Sequence, residues 1–321
     1  MFAVYAARAD PDDPLSALEL GDRPDPVVPD GWTTVSVRAA SLNRHDLWSL
    51  RGVGLPPDRL PMILGCDAAG TDEQGNDVVV HSVITSPDWR DDETLDPTRT
   101  LLSELHPGTF AERVAVPARN LVPKPPELSF EEAACLPTAW LTAYRMLFTR
   151  VKLGPGATVL VQGAGGGVST ALVRLGAAAG LRVWVTSRSQ EKRARALQLG
   201  ADGAFESDAR VPERVDAVME TVGGATWANS IRSLKSGGTL VLAGATTGDA
   251  SPAGLAHIFF RQLSVVGTTM GTRDELVRLI RFCVGAEIRP LIHDVLPLHD
   301  ARRGFDALLD ESVFGKIVFS A

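Results

Sequence analysis

The sequence predicts an α/β protein in two parts: a doubly wound parallel sheet with crossover helices, and a second, β-rich unit made from both chain ends. Three observations carry this reading. The chain has 321 residues, more than one core of roughly 100 to 200 residues needs. Strand-like and helix-like runs alternate from Ala157 to Ala243. Before residue 125, short β-like runs alternate with Gly, Pro and Asp clusters.

Taken in order, the β-like runs are Thr33–Ala39, Asp77–Ile84 and Ala111–Val116. The stretch Ser86–Gly108 has no sustained periodicity and reads as a surface loop. A proline-rich joint, Val122-Pro123-Lys124-Pro125-Pro126, precedes a helix whose capping box is Ser129 and Glu132. The domain boundary is therefore expected at that joint.

The α/β region then offers a strand at 157–162, a helix at 167–180, a strand at 181–186 and a helix at 189–199. A strand at 215–219, a helix at 225–235 and a strand at 239–243 continue the pattern. After Gly267 come helices near 273–284 and 299–310 and a strand Lys316–Ser320, too little for a domain alone. They are expected to rejoin the first unit, which gives 1–125 with 269–321 as one domain and 126–268 as the other.

Composition narrows the function. A net charge of −7 and a pI near 5.4 argue against sequence-independent nucleic-acid binding, which needs a concentrated basic surface. No apolar run reaches the roughly 20 residues of a membrane span, and the Met-Phe-Ala-Val-Tyr start lacks a signal-peptide layout. Cys66, Cys135 and Cys283 are widely spaced, as reduced thiols of a cytoplasmic protein are. The expected partner is a small molecule.

The strongest local signal is Gly163-Ala164-Gly165-Gly166-Gly167-Val168, between a strand and a small-residue helix. Missing side chains let a diphosphate approach the backbone, and the helix directs free N–H groups and its positive dipole end toward it. The next strand ends about twenty residues on, where a dinucleotide-binding Rossmann domain reads the ribose. Here stand Ser187, Arg188 and, one turn later, Lys192, in place of the acid that binds an unmodified 2′-hydroxyl. A guanidinium fork and an ammonium suit a 2′-phosphate, so the expected cofactor is NADPH. Thr221 and Val222 after one strand, and Gly244 and Ala245 after the next, are expected at the same sheet edge.

Five segments in order carry a family resemblance: Ser41-Leu42-Asn43-Arg44-His45-Asp46-Leu47-Trp48, Leu64-Gly65-Cys66-Asp67-Ala68-Ala69-Gly70, Gly108-Thr109-Phe110-Ala111-Glu112, Leu136-Pro137-Thr138-Ala139-Trp140-Leu141-Thr142-Ala143-Tyr144, and the glycine turn. With them the chain resembles the medium-chain dehydrogenase/reductase superfamily over nearly its whole length, and within it the zinc-independent, quinone oxidoreductase-like branch. The resemblance implies a GroES-like catalytic domain from both chain ends, and Asn43, Thr138 and Thr142 near the nicotinamide. It also makes Gln262–Met270 a sheet edge that pairs across a homodimer. The sequence departs from the zinc alcohol dehydrogenases: Asn43 replaces one zinc-binding Cys, Gly65-Cys66-Asp67 stands for their Gly-His-Glu, and 86–108 lacks the four cysteines of a structural zinc. No metal is expected.

Without a Lewis acid, conjugated acceptors suit the chain better than simple ketones, because the developing charge needs only hydrogen-bond donors and a proton. Asn43 and Thr142 are the expected catalytic donors, although Asn-Arg-His-Asp is equally a capping sequence. His45, Trp48 and Trp140 are the expected substrate-pocket residues, although for each tryptophan taken singly core packing is the favoured role. The leading expectation is an NADPH-dependent quinone or enone reductase. Two alternatives stand beside it: an alcohol dehydrogenase with a non-standard metal at Cys66 and Asp67, and an NADPH-binding sensor with little turnover.

Overall fold

The computed structural model describes residues 1–249 and 254–321. It divides into one unit of Met1–Leu141 with Met270–Ala321 and a second of Thr142–Thr269. The proline-rich joint at 122–126 lies inside the first unit. The reason is local: Ser129 and Glu132 form the capping box, and the short helix Phe130–Ala134 that they start packs on strands Trp32–Ser41 and Asp67–Asp72.

In the first unit the long strand Trp32–Ser41 is the axis. It pairs antiparallel with Asp67–Asp72, with Arg113–Pro117 and with the terminal strand Lys316–Ser320. Lys316–Ser320 pairs in turn with Ile292–Pro297, so the last residues of the chain lie between two strands of one sheet. Alternation places Val35 and Val37 in a core shared with Leu47, Phe110, Phe305 and Phe319. Phe110 meets Phe305 and Phe319 edge-on, an arrangement aromatic quadrupoles favour. At Gly304 a Cβ would come within 2.8 Å of the Phe319 ring, so the helix Ala301–Leu309 packs this closely only with glycine there.

The second unit is a six-stranded parallel sheet ordered Gly203–Phe205, Arg182–Thr186, Thr158–Val161, Val215–Glu220, Leu234–Leu242, Ser264–Gly267. Crossover helices Gly167–Ala178, Gln190–Leu199 and Gly224–Ser233 follow the β-α alternation that the sequence predicts. Strand order reverses between Thr158–Val161 and Val215–Glu220, the switch point at whose carboxyl end such sheets bind ligands. Leu160, Trp184, Val218 and Leu240 form its core.

His81 joins distant parts of the first unit. Its Nε2 lies 2.9 Å from the Gly271 carbonyl, and the ring is buried. Burial pushes the imidazole down to about 4 from 6.5. The unfolded chain therefore binds more protons between those values, and folding stability falls as pH drops through the window, by about 3 kcal/mol. Denaturant unfolding from pH 7 to 4 should show this loss in the wild type and a flatter profile in His81→Gln; identical profiles would contradict the assignment.

Candidate functional site

The first and second sequence motifs are joined by one carboxylate. Asn43 is the N-cap of the helix Arg44–Leu50, and Asp46 in its first turn accepts from Asn43 N at 2.8 Å and from Gly65 N at 3.0 Å. Burial pushes the Asp46 carboxyl up to about 6. Beside it lies a second buried network centred on Asp67. Its Oδ1 accepts from Thr138 Oγ1 at 2.5 Å, and its Oδ2 accepts from Ser41 Oγ and Asn43 Nδ2, each at 2.8 Å.

Lys316 completes that network. Its Nζ donates to Asn43 Oδ1 at 2.6 Å and to the Leu42 carbonyl at 2.7 Å, and lies 3.7 Å from Asp67 Oδ2. Asn43 Nδ2 also donates to the Ser41 carbonyl at 3.2 Å. All polar atoms of the Asn43 side chain are thus engaged within the protein. Donation from Asn43 to a substrate requires that one of these bonds be given up.

A third group converges from three separate segments. Cys66 Sγ lies 3.2 Å from His45 Nδ1, and His45 Nε2 lies 3.1 Å from Glu104 Oε1. The other Glu104 oxygen accepts from Leu101 N and Thr100 Oγ1, which holds the carboxylate in place. Burial opposes charge on His45, but the facing Cys66 sulfur and the Glu104 carboxylate outweigh it and hold the imidazole well above its usual range. Burial pushes the Cys66 thiol up, against the pull of His45. The His45 ring, its side chain 20% exposed, thus stands between the Cys66 sulfur and the Glu104 carboxylate.

The loop 86–108 is therefore more than the expected surface loop. Leu102 and Ser103 are fully buried, the Leu102 carbonyl accepts from Cys66 Sγ, and Glu104 reaches His45. Periodicity carries no sign of this, because the loop is held by side-chain bonds to backbone, such as those of Asp92 and Asp96, rather than by an apolar stripe.

A zinc site was tested against these donors. Cys66 and Asp67 do not converge: Asp67 faces Asn43 and Thr138, while Cys66 faces His45. His81 is committed to Gly271. The atoms that do come together are those of His45, Asp46 and Cys66, within 4.8 Å of one another. Both Asp46 oxygens already accept backbone N–H groups, which leaves His45 and Cys66 as two ligands where catalytic zinc takes three. The set does not fit that metal in this arrangement.

The remaining expected residues fall as follows. Trp48 is half-buried, with the Arg51 guanidinium 5.1 Å from its ring centre. Trp140 is fully buried, so it lines the core rather than an open pocket, and its Nε1 has no partner among the described residues. Thr138 belongs to the first unit and Thr142, also buried, to the second.

In the second unit the cofactor residues come together at the carboxyl edge of the sheet. Gly163 and Gly165 adopt φ of +83° and +115°, a region open chiefly to glycine, and turn the chain into the helix Gly167–Ala178. Ser169, in place of the last glycine of the pattern, accepts from Gly165 N and donates to the Gly166 carbonyl, so it braces the turn. Val168 lies in the first turn of the helix, whose N–H groups have no intrahelical acceptors. A Cβ on Gly163 would sit 3.4 Å from Val222, and one on Gly244 3.2 Å from the Thr221 carbonyl, with Ala245 next in the chain. The turn fits a diphosphate.

Ser187 is nearly buried, Arg188 exposed and Lys192 half-buried at the start of helix Gln190–Leu199. Sequence reasoning missed Arg193, whose guanidinium donates to the Ser187 and Arg188 carbonyls and shapes this loop. It also missed Lys316, whose signal was a lone cation opening an otherwise apolar strand.

The family model of the alcohol dehydrogenase GroES-like domain matches residues 29–126, and that of zinc-binding dehydrogenase matches 167–285. An acryloyl-coenzyme A reductase of Metallosphaera sedula is 29% identical, over 94% of this chain and 96% of its own. A zinc-type alcohol dehydrogenase-like protein of Schizosaccharomyces pombe is 30% identical over 90% of each chain. The crystal structure of an NAD-dependent alcohol dehydrogenase superposes with a TM-score of 0.90 at 34% identity, over 100% of both chains. A GroES-like domain, a parallel Rossmann sheet and full-length relatives together show that the chain belongs to the medium-chain dehydrogenase/reductase family.

Proposed function

We propose that the protein is an NADPH-dependent reductase that delivers a hydride to the β-carbon of an α,β-unsaturated carbonyl or quinone without a metal. The observation that carries this reading is the His45–Cys66–Glu104 chain, in which a hydrogen-bonded imidazole stands among the side chains that a metal would need. Bound NADPH supplies the hydride. Addition at the β-carbon leaves an enolate, which needs stabilised charge on oxygen and one proton at the α-carbon. His45 is the proton source and Glu104 positions its ring. Asn43 and Thr142 remain candidate donors to the oxygen, Asn43 by releasing the Ser41 carbonyl. Trp48 is the candidate wall for a flat acceptor. The name of the Metallosphaera relative, an acryloyl thioester reductase, supports a conjugated substrate.

For the cofactor, the 34% identical structure is named for NAD, but the loop of this chain favours the 2′-phosphate. Arg188 and Lys192 bracket the position where the ribose ends, and Ser187 keeps it free of an acid. Gly163–Val168, Thr221, Val222, Gly244 and Ala245 hold the rest of the dinucleotide, with Thr138 on the nicotinamide side. We further propose a cytoplasmic homodimer. Strand Ser264–Gly267 ends the sheet, and near it Leu255, Phe259 and Phe260 are largely exposed, a cost that a second copy would remove. Light scattering should give twice the 34.2 kDa chain mass, and a monomer at micromolar concentration would reject the dimer.

Arg188→Ala should weaken NADPH binding by about 1 to 3 kcal/mol and leave NADH nearly unchanged. Equal losses in calorimetric titrations would remove the phosphate assignment. Purified protein should oxidise NADPH with enones, quinones or unsaturated thioesters and hold less than a tenth of a zinc per chain by elemental analysis, an expectation of order-of-magnitude precision. About one zinc per chain would move the chemistry to metal-assisted alcohol oxidation through His45, Asp46 and Cys66. Tight NADPH binding with no turnover on any acceptor would favour the sensor reading.

A further inference from the structure

In a parallel sheet every strand begins on the same edge, so residues just before the strands of the second unit share the edge opposite the glycine turn. Arg210 and Arg214 precede Val215–Glu220, Arg232 closes the helix before Leu234–Leu242, and His257 and Arg261 precede Ser264–Gly267. These residues line one cavity of about 380 Å³. Topology thus gathers four arginines from three connections at one place.

Their charge is not answered from within the protein. Among the described residues, none of the four guanidiniums is in a salt bridge. Two acids share the cavity wall, Asp208 and Glu213, and Glu213 is paired with Arg182 instead. Arg214 spends one N–H on the Leu234 carbonyl and Arg261 one on the Arg232 carbonyl, which anchors both and leaves most of their five donors. Burial, with the neighbouring Arg214 charge, holds Arg261 below the usual arginine range, so two like charges face each other. Arg210, Arg214 and Arg232 are exposed and Arg261 half-buried, so in a chain of net charge −7 this local cluster of positive charge is open to an anion from solution.

The chemistry of the anion follows from the lining. Guanidinium forks match phosphate oxygens in pairs. The volume lies within the range of small-molecule sites and exceeds a single phosphate, while Val211 and Pro212 give it an apolar side. On helix Leu255–Phe260 the exposed Leu255 and Phe259 lie on the opposite face from His257 and Arg261, with Phe260 between the two faces. We propose that the cavity is a second anion site, separate from the dinucleotide turn, which binds the phosphate groups of a phosphorylated small molecule of about nucleotide size.

The test is calorimetric titration of the full chain with pyrophosphate and with ATP. Wild-type protein should bind both saturably; tighter binding of ATP identifies a nucleotide occupant, and equal binding a free polyphosphate. With the dinucleotide turn filled by saturating NADPH, Arg214→Ala/Arg232→Ala should raise the dissociation constant about tenfold or more, the scale of one or two charged hydrogen bonds, and leave the affinity for NADPH itself unchanged. If the alanine pair does not fold, Arg214→Lys/Arg232→Lys keeps the charge, loses the forks and should still weaken binding severalfold. Absence of saturable binding, unchanged binding in the paired variants, or competition of both anions with NADPH would each overturn the site.

Discussion

The first unit depends on a buried ammonium. Lys316 lies at 2% exposure in the terminal strand, and a charge there is tolerable only because Asn43, the Leu42 carbonyl and Asp67 meet it. Asp67 is satisfied in turn by Ser41, Asn43 and Thr138. One network therefore ties residues 41–43, 67 and 138 to the end of the chain, and the strand pairing of Lys316–Ser320 with Trp32–Ser41 closes the sheet around it. A domain split by a whole second unit needs such a tie, since removing either partner would leave an unpaired charge in the core.

The same network decides how the site divides its work. Because Asn43 is engaged at every polar atom, the proton donor we propose is its neighbour two residues on, His45. The helix that Asn43 begins turns His45 toward Cys66 and Glu104, and Asp46 fixes the helix to Gly65. Structure and chemistry thus come from alternate residues of one short motif. In the second unit, the two edges of the parallel sheet differ: strand ends carry the glycine turn, and strand beginnings carry the arginine-lined cavity.

Much of this was legible in the sequence wherever one local rule sufficed. The Ser129 capping box, the strand Lys316–Ser320 and the glycine turn depend on residues close in the chain, and the structure has each of them. The polar clusters were not legible, since His45, Cys66 and Glu104 are brought together only by folding. Glu104 lies in a loop without periodicity, and Lys316 stands as a lone cation at the start of an apolar strand, with its partners Asn43 and Asp67 far away in the chain. Trp140 had two readings in the sequence, pocket wall and core, and the structure buries it fully, as the core reading expects.

The central claim is conjugate reduction with a proton drawn from His45. The most direct measurement is the product formed from an enone with NADPH deuterated at the transferred position of the nicotinamide, read by NMR. The account predicts a saturated carbonyl with deuterium on the carbon β to it. Deuterium on a carbinol carbon, with the double bond intact, would contradict it and mark the protein as a carbonyl reductase.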